Sequence, residues 1–225
     1  EDSDKDAAFV LELAKKINSQ IHLKEFDTNT YAVENKISTQ MAARDLRYNW
    51  FANLMSEFNY DYLLTAHHAN DNIETVLINL TRGSSLKGLT GIPEINGNII
   101  RPLLPFTRSE IEKYTIANNI SWREDDSNSS KKYFRNKIRH EVIPVLQELN
   151  PSLLETFSKH VSFLKLEKKV LEGHYASVKA DVTLYEDGVF KIDINKLKQY
   201  NDCKVYLFNF LKEYTNLTDK QIQNR

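Results

Sequence analysis

A chain of 225 residues can bury the core of one large domain, or of one domain and a smaller companion. With 30 Lys+Arg against 31 Asp+Glu, its net charge of −1 excludes a global basic field, so a nucleic-acid partner would have to be met by local patches. A single cysteine, Cys203, excludes an internal disulfide and a cysteine-built metal or iron–sulfur site. No apolar run approaches the roughly 20 residues that cross a bilayer, and no signal-peptide pattern opens the chain, so the expectation is a soluble cytoplasmic protein without a membrane partner.

In chain order, residues 3–17 put Phe9, Val10, Leu13, Ala14 and Ile17 on one side of an amphipathic helix. Residues 21–26 alternate as a strand does. Residues 38–58 read as a longer helix, 60–66 as a short buried strand, and 71–80 as a helix starting at Asp71. Such alternation predicts an α/β fold, a parallel sheet with covering helices. In these sheets ligands gather at the carboxyl ends of strands, where His67, His68 and Asp71 fall. A glycine-bearing loop spans 83–91, Asn96-Gly97 signals a hairpin, and Thr107 with Glu110 makes a capping box for a helix to about residue 118. Residues 125–132 are polar and read as a loop. Residues 133–173 are helical in pattern, with Pro144 and Pro151 each expected to break or kink the run. A second hairpin signal, Asp187-Gly188, lies between 182–185 and 189–192, and a last helix covers 202–214. A boundary near 146–151 separates residues 1–146 from 147–225, a linker helix and a smaller α+β domain.

Three stretches carry chemistry. In residues 66–75, two histidines stand at a strand end and Asp71 and Glu74 lie three apart at a helix start. That spacing can hold a magnesium ion, orient an amine or accept a proton; it is also the spacing of an ordinary capping box. Residues 81–93 hold Gly83, Gly88 and Gly91, which let backbone N–H groups approach a phosphate or carboxylate, and which serve turns equally well; the Walker A spacing is absent. Arg135 and Arg139, four apart in a helix, make a fork for phosphate or carboxylate. From residue 131 to 170 nine Lys/Arg face four Glu, a surplus of five that suits an RNA backbone or a solvated helix face. Arg44 and Arg47, with Tyr48, form a similar basic pair.

The order of these blocks is specific. Arg44-Asp45-Leu46-Arg47-Tyr48 is followed by His67-His68-Ala69-Asn70-Asp71-Asn72-Ile73-Glu74-Thr75, then Arg82-Gly83-Ser84-Ser85-Leu86-Lys87-Gly88-Leu89. Ile100-Arg101-Pro102-Leu103-Leu104, Asp126-Ser127-Asn128 and Arg135-Asn136-Lys137-Ile138-Arg139 complete it. This series is similar to that of the tRNA(Ile)-lysidine synthases, members of the N-type ATP pyrophosphatase (PP-loop) superfamily. The likeness is strongest over residues 44–144 and weak beyond Pro151. It implies a Rossmann-like catalytic domain over 1–146 and a small tRNA-binding domain within 147–225.

The family's Ser-Gly-Gly-x-Asp-Ser ATP loop does not occur in these residues. The resemblance therefore implies that residue 1 falls just downstream of it, within an N-terminally incomplete first domain. The activity implied is ATP-dependent ligation of lysine to C2 of the wobble cytidine of tRNA(Ile) with a CAU anticodon, through an adenylated cytidine, with release of pyrophosphate and AMP. Implied cofactors are ATP and Mg2+, and implied partners are that tRNA, free L-lysine and a second copy in a homodimer. By resemblance the catalytic residues are His67, Asp71, Glu74 and Arg139. ATP falls to Arg44 and Arg47, and lysine or cytidine to Glu74, Arg135, Asn136 and Arg139. The tRNA backbone falls to Lys165, Lys168 and Lys169, and the metal to Asp71. Sulfur transfer to tRNA by related enzymes fits poorly, because Cys203 stands alone. Related amidotransferases fit poorly because they bind no tRNA, and a non-catalytic tRNA-binding fragment remains as the non-enzyme reading.

Overall fold

Helix α1, Asp2–Lys16, opens the computed structural model, which describes residues 2–123, 134–187 and 189–214. The predicted loop at 125–132, with Asp126-Ser127-Asn128, lies outside the described residues, as does Gly188. Two compact units divide the chain at Lys159/His160, within one long helix.

In the first unit, α2 (Thr28–Glu34) leads to α3 (Thr39–Phe58). Ser38 caps α3 by accepting from the Met41 N–H, and Asn59 ends it at φ 52°, a left-handed conformation that asparagine tolerates. Strand β1 is only Leu63–Leu64, a core of the expected 60–66 run. It pairs in parallel with β3 (Ile99–Ile100), which pairs antiparallel with β2 (Ile95–Asn96) across the Asn96-Gly97 turn. The order β1-β3-β2 thus contains one parallel pair.

The strand expected at 21–26 is not one: these residues join no ladder among the described residues. Alternating side chains fit a strand, but a strand exists only where a neighbour takes up its backbone groups. Here His22 instead packs its ring 4.3 Å from Phe58 and meets the Tyr60 hydroxyl at 3.2 Å.

Helix α4 (Ala69–Thr81) and α5 (Leu86–Leu89) precede the sheet hairpin, and α6 (Arg108–Ala117) follows it. Thr107 and Glu110 form both bonds of the expected capping box. Next come α7 (Phe134–Lys137), a π-helical turn (Ile138–Val142) and α8 (Ile143–Leu149). Pro144 therefore does not end the helical run. Proline cannot donate to the carbonyl four residues back, and its ring crowds that carbonyl. The wide turn before it relieves this: the Ile143 N–H reaches back five residues to Ile138. Ile73 of α4 packs with Ile138 and Ile143 in a core that Leu77, Ile78 and Phe157 extend. Burying each isoleucine contributes about 1.5–3 kcal/mol, enough to fix α4 against the π turn.

Helix α9, Leu153–Val182, starts after Pro151 as expected but runs straight past Gly173, where the sequence pattern predicts its end. A lone glycine costs a helix only about 1 kcal/mol, which the good helix formers around it absorb. In the second unit α9 leads into the β4–β5 hairpin (Thr183–Glu186 and Val189–Ile192), with Asp187 at φ 53°. Then come α10 (Ile194–Leu197) and α11 (Cys203–Tyr214). Val178, Val182, Leu197 and Phe210 form its core, with Tyr175, Tyr206 and Leu207 around them. No described helix is long and apolar enough to cross a membrane.

Candidate active site

The N-terminus of α4 organises the site. The helix begins two residues earlier than expected, so Asp71 is not its N-cap. His68 holds that position, and Asp71 is the third helical residue, accepting the His68 N–H on Oδ2 at 3.0 Å. The capping-box reading of Asp71 with Glu74 is therefore overturned: Glu74 lies a turn further on and takes no part in the cap. It is 1% exposed.

A carboxylate so buried costs several kcal/mol unless it is fully paired. Arg135 Nε lies 2.6 Å from Oε2, Arg139 Nε 2.6 Å from Oε1, and Arg139 Nη2 3.1 Å from Oε2. Arg135 also donates through Nη2 to Asp71 Oδ1 at 2.9 Å, and Arg139 Nη2 stands 3.8 Å from the same oxygen. The two arginines come from α7 and the π turn, the two acids from α4. Residues more than sixty apart in sequence thus make one charge-balanced cluster. Such π turns often sit at functional sites.

The surrounding backbone is pinned by amides that sequence reasoning passed over. Asn72, buried, accepts the Ile92 N–H at 2.7 Å, and Asn79 donates to the Gly88 carbonyl at 2.9 Å. Together they strap the 83–91 loop onto α4. Gly91 is required there: it sits at φ +71°, and a Cβ would lie 2.1 Å from the Asn72 oxygen. Asn70 accepts the Arg108 N–H at 2.9 Å, tying the start of α6 to the start of α4. The legible signal was the seven-residue interval between Asn72 and Asn79, two turns on one helix face.

His67 ends the extended segment after β1, its Nδ1 2.9 Å from the Thr65 hydroxyl. Burial pushes its pKa below the usual histidine value, and Arg101, Arg135 and Arg44 push the same way, against the pull of Asp71. A ring so held stays neutral at pH 7 and can accept a proton. Among the described residues the buried Arg101 Nε has no hydrogen-bond partner, a state that costs about 1–3 kcal/mol and is met at ligand sites.

A cavity of about 600 Å³ opens over this cluster, lined by His68, Asp71, Glu74 and Arg139 on one side and by Arg108, Ile111, Glu112 and Thr115 of α6 on another. Of the other sequence-predicted residues, Asn136 is buried, and Arg44 on α3 stacks its guanidinium 4.6 Å over Tyr48. Arg47 is exposed on the same helix. Lys165, Lys168 and Lys169 lie in the other compact unit, on α9, where Lys168 pairs with Glu172 at 3.4 Å and Lys169 is exposed.

The described residues do not by themselves make a magnesium site. No group of three or more His, Cys, Asp or Glu converges among them, and both Asp71 oxygens already accept from nitrogen donors.

Residues 1–146 match the family model of the PP-loop domain. The chain belongs to the PP-loop family. Membership implies a Rossmann-like α/β fold. The chain is 48% identical over 217 residues to the tRNA(Ile)-lysidine synthase of Porphyromonas gingivalis, a match covering 95% of this chain and 46% of that protein. It is 36% identical over 214 residues to the enzyme of that name from Parabacteroides distasonis, covering 95% and 48%. With the Clostridium perfringens protein of the same name the figures are 35% over 236 residues, 98% and 48%. This PP-loop chain spans about half the length of the curated relatives it matches.

Proposed function

We propose that this PP-loop protein is a tRNA(Ile)-lysidine synthase that ligates lysine to C2 of the wobble cytidine in a CAU anticodon. The observation that carries the reading is the α4 cluster, in which two acids and two arginines are locked together under a cavity beside a neutral His67. The kinship with proteins of that name supports it. The parallel β1–β3 pair would belong to the covered parallel sheet of such a domain, residues 1–146, with residues 147–225 as linker helix and tRNA-binding domain.

The chemistry has two steps. The cytidine O2 attacks the α-phosphate of ATP and pyrophosphate leaves; the lysine ε-amine then attacks C2, AMP leaves, and the amine gives up a proton. The cytidine has to leave the anticodon stack to be reached. Arg44 and Arg47 are the cations for the triphosphate, whose leaving group gathers charge. Magnesium bound together with ATP would supply further neutralisation of that charge. The protein's own residues divide the second step. His67, neutral, accepts the proton. Asp71, at the cavity wall, orients the amine. Glu74 holds Arg135 and Arg139 in place, and these with Asn136 form the binding wall for the cytidine phosphate or lysine carboxylate.

The test supplies the natural protein carrying this sequence with a tRNA(Ile) CAU transcript, ATP and labelled lysine. Label should enter the tRNA only when ATP is present, with AMP and pyrophosphate formed one for one. ATP-dependent transfer of sulfur or ammonia, or none at all, rules the proposal out. Asp71→Asn should abolish incorporation, since an amide does not carry the charge that orients the amine.

A further inference from the structure

Resting on that lysine-ligase reading, we propose that Arg108 and Glu112 of α6 recognise the α-amino acid head of free lysine, Glu112 meeting the α-ammonium and Arg108 the α-carboxylate. The pair is joined by Arg108 Nε to Glu112 Oε1 at 2.6 Å and lines the same cavity as Asp71, Glu74 and Arg139.

Helix energetics do not account for it. Arg108 is the first residue of α6, where the positive end of the helix dipole disfavours a cation. An arginine placed four residues before a glutamate is also the weaker order for such a pair. The two side chains are 45% and 41% exposed, and an ion pair of that kind contributes little to stability. What the structure does secure is the pair's location. The Arg108 N–H is fixed to Asn70 on the turn that carries Asp71, and Glu110 closes the cap behind it.

The chemistry between the two walls fits the substrate. The ε-amine has to reach the reacting carbon, so it belongs at the Asp71 end, next to His67. The head then lies toward α6, and the methylene stem crosses the apolar lining of Ile111, Ile143 and Trp122. An acid and a base side by side read a zwitterion, and so separate free lysine from a plain diamine.

The experiment uses the natural protein and measures lysine KM together with the inhibition constant of cadaverine, which is lysine without its carboxylate. Wild type is compared with Arg108→Met and Glu112→Gln. Arg108→Met should raise the lysine KM roughly tenfold or more, as removal of one charge-assisted hydrogen bond does, and leave the cadaverine constant within twofold. Glu112→Gln should weaken both ligands. Because the ratio of the two ligands is read within each variant, a general loss of folded protein does not mimic it. Unchanged lysine KM in both variants, or equal weakening of lysine and cadaverine in Arg108→Met, overturns the assignment with the ligase reading intact. A wild type that attaches no lysine to tRNA overturns both together.

Discussion

The two compact units place their charges in opposite ways. In residues 1–159 two carboxylates and two guanidiniums are packed against one another, with Glu74 almost wholly out of water. In residues 160–225 the centre is apolar, Val178, Val182, Leu197 and Phe210, and the ion pairs Lys168–Glu172, Lys191–Glu186 and Lys196–Asp181 lie outside it at partly exposed positions. Apolar side chains of similar volume would stabilise the first arrangement as well or better, because burying ions costs about what their attraction returns. The buried cluster is therefore explained by what it holds in place, and the second unit's core by stability alone.

The sharpest way to break this comparison is to cut each centre once. Glu74→Ala would leave Arg135 and Arg139, both partly exposed, still facing Asp71 but without the acid that joins them. Solvent screening holds the expected cost to about 1–3 kcal/mol, with lysine incorporation lost. Phe210→Ala should cost about 3–5 kcal/mol by opening a cavity. Denaturant unfolding gives the stabilities. A double replacement of Glu74 by Gln and Arg139 by Met should recover much of the stability while activity stays lost. Recovery of activity along with stability would show that the cluster is only structural.

These contrasts were unequally legible in the sequence. Local chemistry could be read directly: Thr107 with Glu110 and the Asn96-Gly97 turn both act within four residues of themselves. The members of the cluster were legible too, as two acids at one helical spacing and two arginines at another. Their partnership was not, since Arg135 and Glu74 are 61 positions apart and nothing local says that α7 returns to α4. The start of α4 was missed because Asp71 suits an N-cap as well as it suits the third helical position. The strand at 21–26 failed because pairing is a property of neighbours. The π turn was not legible, because Pro144 signals only that a regular turn cannot form, not how the chain avoids it.

A smaller effect tests the backbone straps. Gly91→Ala adds a Cβ at positive φ and drives it into Asn72, which holds the Ile92 N–H. Left-handed strain of about 1–2 kcal/mol and a disturbed buried hydrogen bond of about 1–3 kcal/mol predict a loss of about 2–5 kcal/mol in all. Gly83, also at positive φ but with open space around its Cβ position, should lose only the strain. Thermal melts of Gly83→Ala and Gly91→Ala decide this; equal losses would mean that the Asn72 contact carries no weight.

The smallest effect belongs to the second unit's surface, where the proposal is contact with a tRNA backbone. Replacing Lys165, Lys168 and Lys169 by Gln should leave the fold intact, because charged side chains reaching solvent from a helix contribute a few tenths of a kcal/mol. It should weaken tRNA binding and flatten its salt dependence, the slope falling by about 0.7–0.9 for each phosphate that a lysine no longer neutralises. The three are not equivalent. Lys168 is already committed to Glu172, whereas Lys169 is exposed. Lys169→Gln alone should therefore account for more of the slope change than Lys168→Gln. Lysine KM should not move in either, since both residues lie outside the unit that holds the α4 cluster. A filter-binding titration across salt concentrations measures the slopes. A triple variant whose slope equals that of wild type would make these lysines a solvated face like the ion pairs around them, and would leave the second unit with no assigned contact to RNA.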